Sequence, residues 1–265
     1  NESITMNINL FSSLPLWAIF LLTVAMIFSS VYVGLWIGNR SRKKSPPGEK
    51  PPIGTVVASL FGLLAFMLAL TFNATASRFD ARKQLLLDEV NAIGTAYLRA
   101  DFLESADKNL SKKLLLNYVQ VRANALSETI TIQEVISRSE AIQKELWSIA
   151  KTYPKGDVKG PLTNSYIVSL NEIFDLHTSR VTVGLLYQIH PMVWLTLILV
   201  SSFSMSVIGF QFGYDGGRRA SLCLVLATTF SLVLLLIVDL DRPAAGMITV
   251  DQSPMVALLH SIQPP

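Results

Sequence analysis

Four stretches of this chain, 16–37, 53–72, 192–212 and 221–238, contain no Asp, Glu, Lys or Arg. A helix that crosses roughly 30 Å of hydrocarbon needs about 20 predominantly apolar residues, and its backbone polar groups must all be bonded internally. The four stretches meet that requirement. They predict an all-α protein of four transmembrane spans, with a helical extramembrane insertion between spans 2 and 3. The mean hydropathy of +0.44 agrees, because the 51% hydrophobic content is concentrated in these blocks. Domain boundaries follow: a first transmembrane pair over 14–72, an insertion over 73–190, a second pair over 191–238 and a tail over 239–265.

The net charge of +3 does not call for nucleic acid, because the basic excess sits in two short loops. In the loop 39–52, Arg40, Arg42, Lys43, Lys44 and Lys50 face only Glu49, and in 213–220 Arg218 and Arg219 face Asp215. Short loops rich in Lys and Arg stay on the cytoplasmic side. Both loops are therefore expected inside, with the insertion and both termini extracytoplasmic, as in a multi-pass protein of a bacterial inner membrane. Trp17, Trp36, Trp194 and Tyr214 bracket spans 1 and 3, where amphipathic rings favour the headgroup zone. Residues 1–13 lack the basic start of a secretory signal, so the first span is expected to be retained.

From 73 to 190 the charge is finely mixed, with 14 Lys/Arg against 13 Asp/Glu, as on solvated helix surfaces. Leu86, Val90, Ile93 and Tyr97 recur at three- and four-residue steps, with no Gly/Pro turn cluster between Phe72 and Leu103. The second span is thus expected to continue as one long helix to about residue 103, with Gly94 allowing a close approach or a bend. Further helices are predicted near 107–129, 132–151 and 166–181, with a loop at 152–161 around Pro154. Short turns would make neighbouring helices antiparallel. In the tail, Ser253 followed by Pro254 predicts an N-capped helix to Ser261, whose Met255, Val256, Leu258 and Leu259 would pack on the interface or a neighbouring protomer, or else fray.

Chemistry is sparse. His177, His190 and His260 show no metal-ligand spacing, the single Cys223 lies in a span, and neither a phosphate-cradling loop nor a nucleophile elbow occurs. No cofactor, metal, nucleic-acid partner or enzymatic activity is expected. Three groups of residues stand out instead. Arg78, Asp80 and Arg82 could meet Asp239, Asp241 and Arg242 where spans 2 and 4 emerge on one side, or both sets could be solvated helix ends. Glu89, Asn91 and Arg99 interrupt an apolar stretch of the long helix, either as buried partners that set register or as an ordinary solvated face. Ser201, Ser202, Ser204 and Ser206 in span 3, with Ser29 and Ser30 in span 1, either line a water-filled pore or allow close helix packing.

The runs RFDARKQLLLDEVNAIGTAYLRADFL at 78–103 and DLDRPAAG at 239–246 resemble a bacterial bestrophin-like membrane family. The resemblance covers the whole four-span layout. It implies likeness to bestrophins, oligomeric anion channels with helical protomers around a central pore. The apolar pore-neck and acidic calcium-clasp motifs of bestrophins have no clear counterpart here. The expected function is a homo-oligomeric ion channel whose partners are the lipid bilayer, further copies of itself and small inorganic ions, anions by resemblance alone. The alternative is a non-transporting anchored scaffold or sensor whose extramembrane helices bind an envelope partner.

Overall fold

The structure, a computed structural model, describes residues 14–44, 53–125, 131–153, 160–216, 220–242 and 246–263. All regular elements among these are helical: α1 (Leu16–Arg42), α2 (Ile53–Arg99), α3 (Ser105–Ala123), α4 (Ile132–Ala150), α5 (Gly160–Val181), α6 (Pro191–Tyr214), α7 (Ala220–Asp241) and α8 (Ser253–Ile262). A 3-10 turn, Ala100–Phe102, extends α2, and a π-helical turn, Thr182–Leu186, follows α5. Among the described residues, four helices are long and apolar enough to cross a membrane. The expected continuation of span 2 is present: α2 runs unbroken for 47 residues, about 70 Å at 1.5 Å per residue. The N-terminal 1–13, Glu49 and Lys50 of the first basic loop, Arg218 and Arg219 of the second, Pro154 and Pro243 lie outside the described residues.

The chain divides into two units. The first takes residues 1–77 and 188–249 and holds α1, the first part of α2, α6 and α7. Its core is aliphatic, with Ile27, Val31, Leu64, Leu197, Met205, Ala227 and Ile237 buried. The pairing of α1 with α6 is unusually close. A Cβ on Gly34 would land on the Ser206 carbonyl, on Gly38 on that of Phe210, on Gly209 on that of Val31, and on Gly213 on that of Leu35. Two G-x-x-x-G segments thus face each other backbone to backbone, the arrangement that drives helix association in lipid, where apolar burial supplies no force. Entry into α6 is capped by His190, whose Nδ1 accepts from the Met192 N–H at 3.3 Å, ahead of the helix-starting Pro191.

The second unit takes residues 78–187 and 250–265. The last turns of α2, with α3, α4, α5 and α8, enclose Leu86, Ile93, Ala96, Leu115, Tyr118, Leu146, Tyr166, Leu170, Ile173 and Met255. Helix α4 starts on Thr131, whose hydroxyl accepts from the Glu134 N–H at 3.3 Å. The tail departs from expectation in two ways. It packs into this chain's own bundle, with Met255 and Ile262 buried and Leu258 3.6 Å from where a Gly94 Cβ would stand, rather than on the membrane interface or a neighbour. Ser253 is also not the cap: Asp251 takes both its N–H, at 2.9 Å, and its hydroxyl, at 2.6 Å, because a carboxylate is the stronger acceptor. Helix α3 ends at Ala123, earlier than its apolar spacing suggested, and α5 starts at Gly160, inside the expected loop.

Candidate functional site

The most unusual chemistry is a buried charge cluster in the second unit. Glu89 on α2 has no exposed side-chain surface, and Arg122 on α3 and Arg180 on α5 have 7% and 15%. Arg122 Nη2 donates to Glu89 Oε2 at 3.1 Å, and Arg180 Nη1 donates to the same oxygen. The other oxygen, Oε1, accepts from the Tyr118 hydroxyl at 2.7 Å. Tyr118 also lies 3.2 Å from His177 Nδ1 and accepts from Gln143 Nε2 at 3.4 Å. One carboxylate thereby ties three helices together. Burial raises the Glu89 pKa, but Arg122, Arg180 and the Tyr118 hydrogen bond outweigh it and hold the carboxyl below its ordinary range. Burial, then Arg122, push His177 down to about 4, so the ring is neutral at physiological pH. Burial and the Glu89 charge raise Tyr118 well above the usual phenol range.

The cluster carries two guanidinium charges against one carboxylate. Arg122 Nε and His177 Nε2 are buried with no hydrogen-bond partner in the protein. No nucleophile stands beside a free base here, and no group of three His, Cys, Asp or Glu among the described residues could hold a metal. The arrangement can brace helices electrostatically; it offers no reacting atom.

Of the other polar positions on the long helix, Arg99 donates to the Ser165 carbonyl and to Ser169 Oγ, both at 2.9 Å, joining α2 to α5. Asn91 is exposed. Glu89 is thus a buried partner and Arg99 a half-buried one, while Asn91 lies on the solvated face, where helical phase turns it away from the core.

At the emerging end of α7 the charged side chains bind backbone groups. Asp239 accepts from the N–H groups of Met247 and Ile248 at 2.9 and 3.0 Å. Both Asp241 oxygens accept from the Ile189 N–H, at 3.1 and 3.2 Å. Arg242 donates to the Leu14 carbonyl. Asp239, Asp241 and Arg242 therefore form a knuckle at the end of α7 that fastens Met247 and Ile248, the entry to α6 and Leu14, two residues before α1. Asp80 forms an exposed ion pair with Lys83 at 3.8 Å, and Arg82 Nε donates weakly to the Arg78 carbonyl at 3.4 Å.

Two of the span serines bond across helices and two bond within α1. Ser206 donates to the Ser30 carbonyl at 3.0 Å and Ser204 weakly to that of Leu60 at 3.4 Å; Ser29 and Ser30 bond back to Ala25 and Met26. Ser201 and Ser204 are fully enclosed, whereas Ser29 is exposed and Ser202 half-buried. A side chain without exposed surface cannot line a lumen shared between protomers. The span of α2 contrasts with this: only 11% of its most apolar stretch is buried, against 33% for α7. Its bare face repeats at steps of four and three through Thr55, Ser59, Gly62, Phe66, Ala69 and Asn73, all exposed. That spacing, and the paired G-x-x-x-G segments of α1 and α6, were signals present in the sequence but not singled out there.

The family description "Bestrophin-like domain" matches residues 22–255. Two crystal structures of point variants of a bacterial bestrophin homologue from Klebsiella pneumoniae are similar in fold, with TM-scores of 0.66 and 0.63 at 13% sequence identity. Each match covers 93% of this chain and 97% of the other. No match is found among curated protein sequences.

Proposed function

The chain belongs to the bestrophin-like family, and from that premise we propose that it is a homo-oligomeric membrane protein whose copies enclose an ion-conducting pore. Bestrophins are ion channels rather than enzymes, and the family likeness carries that class to this chain. The single observation that supports assembly is the bare face of α2. A lipid-facing helix surface is ordinarily lined with large apolar side chains, but this face offers Thr55, Ser59, Gly62, Ala69 and Asn73 at the 3.5-residue repeat of packed helices. Phe66, 61% exposed, is the bulky residue within this stripe, which the exposed Val56, Leu63 and Leu70 flank, and is the natural constriction if the stripe turns to a shared axis. Ser29, Ser30, Ser202 and Ser206 retain surface and stay pore-lining candidates.

Anion preference rests on the family likeness. The orientation, with loops 39–52 and 213–220 cytoplasmic and the termini outside, rests on their Lys and Arg content. Purified protein in planar bilayers should conduct, and Phe66→Ala should raise unitary conductance. A preparation that stays silent across anions and cations, while a partner is recovered by crosslinking through 107–160, overturns the channel in favour of the scaffold. Labelling of a cysteine at position 43 from outside the cell, in a Cys223→Ser background, overturns the orientation.

A further inference from the structure

We infer that the first unit carries a binding groove for an anionic phospholipid, its acyl chain held between α1, α2 and α6 and its phosphate met by the basic end of α1. A cavity of about 440 Å³ opens between Gly34 and Ile37 of α1, Ile53 and Val56 of α2, and Ser206, Val207 and Phe210 of α6. That volume falls within the roughly 300–1,000 Å³ of small-ligand sites. Its walls are apolar: the one hydroxyl at its edge, that of Ser206, is spent on the Ser30 carbonyl. The groove exists because Gly34 and Gly209 bring α1 and α6 into backbone contact, so no side chain fills the crevice beside them. Ile37 and Val56 remain 45% and 51% exposed at its mouth.

The occupant follows from position and charge. In a helix that spans a bilayer, an open crevice without polar walls takes hydrocarbon, and hydrocarbon at that depth means an acyl chain. Ser41 continues the Gly34–Ile37 face of α1, Lys44 stands in the turn after the helix with its N–H on the Ser41 carbonyl at 3.0 Å, and Arg40, seated 5.7 Å over the Trp36 ring, precedes Ser41. Arg40 and Lys44 are exposed, roughly two turns or less beyond Ile37, where the span reaches the headgroup layer. A phosphodiester there accepts charge-assisted hydrogen bonds from both, whereas a zwitterionic headgroup brings its own cation to the same place. The preference is therefore for phosphatidylglycerol-like lipids over phosphatidylcholine.

The test reconstitutes the full-length protein in nanodiscs with a phosphatidylglycerol that carries a diazirine on its acyl chain. Crosslinks are expected on peptides holding 34–37, 53–56 and 206–210, at least threefold stronger than with the matching phosphatidylcholine probe. Val207→Trp, which fills the groove, should remove them, and the milder Val56→Phe serves the same purpose if the larger change unfolds the protein. Arg40→Gln with Lys44→Gln should abolish the headgroup preference and leave acyl labelling in place. Labelling confined to other surfaces, equal labelling by both lipids, or Val207→Trp labelling like the wild type overturns the inference. So does loss of oligomer mass in Val207→Trp with no change in labelling, which assigns the groove to a second copy of the chain. Channel activity does not enter the readout, so this result and the pore stand or fall separately.

Discussion

The Tyr118 hydroxyl donates to Glu89 Oε1 at 2.7 Å, and this one bond sets the proton inventory of the buried cluster. Glu89 is ionised and can only accept, so the single phenolic proton is committed to it. Tyr118 Oη can then only accept from His177, which places the imidazole proton on Nδ1 and leaves Nε2 as a lone pair. The unpartnered Nε2 is thus an acceptor and the unpartnered Arg122 Nε–H a donor. The two are complementary in kind.

Replacing Glu89 by Gln should destabilise the protein by about 3–5 kcal/mol, the usual cost of removing one partner from a buried ion pair. Here two guanidiniums would be left without a countercharge. Thermal unfolding of the detergent-solubilised protein measures it. Arg180→Met, which leaves Glu89 paired with Arg122, should cost clearly less; equal losses would show that Arg122 alone does not compensate the Glu89 charge.

Acid should weaken the same cluster. His177 has its pKa depressed to about 4, against about 6.5 in the unfolded chain. The unfolded state therefore takes up a proton first, and stability present above pH 6.5 is lost as pH falls towards 4, by up to about 3 kcal/mol. The lowered Glu89 acts in the same direction below the carboxylate range. His177→Gln should flatten the 6.5 to 4 portion of a melting-temperature profile; an unchanged slope there would assign it to other groups.

Gly34→Ala and Gly209→Ala should each disrupt the α1–α6 pair, since the added Cβ meets backbone carbonyl rather than a movable side chain. Gly62→Ala, where nothing lies within 4 Å, should leave the protomer intact. Melting curves of the three variants separate the cases, with losses of about 1–3 kcal/mol typical of overpacking at the two tight positions.

Gly62→Leu addresses assembly instead. It should reduce the oligomer fraction in light scattering without lowering the unfolding temperature of the protomer, because Gly62 sits on the bare face of α2. An unaltered oligomer would remove α2 from the interface.

Asp239→Asn should loosen the knuckle after α7. The carboxylate accepts from two backbone N–H groups, and neutralising it weakens both bonds. A loss of about 1–3 kcal/mol is expected, together with faster amide exchange at Met247 and Ile248.

The legible part of this protein was its one-dimensional part. Spans declare themselves because lipid cannot satisfy a bare backbone, so a run without charge such as 221–238 has few alternatives. The continuation of α2 past the membrane was legible for a similar reason: no residue between Phe72 and Leu103 stops a helix. Partnership was not legible. Glu89 and Asn91 lie two residues apart in equally apolar company, yet one is sealed among two arginines and a tyrosine and the other faces water. That difference comes from helical phase combined with what α3 and α5, 33 and 91 residues away, present to it. The serines of α6 show the same limit, since hydroxyl rows read alike whether they meet a lumen or a backbone carbonyl. By itself, the sequence determined where the chain crosses the bilayer, because that depends on local transfer energy. Only the tertiary structure decided which buried charges are paired and which helix faces are left bare, because those depend on groups distant in sequence meeting at hydrogen-bond range.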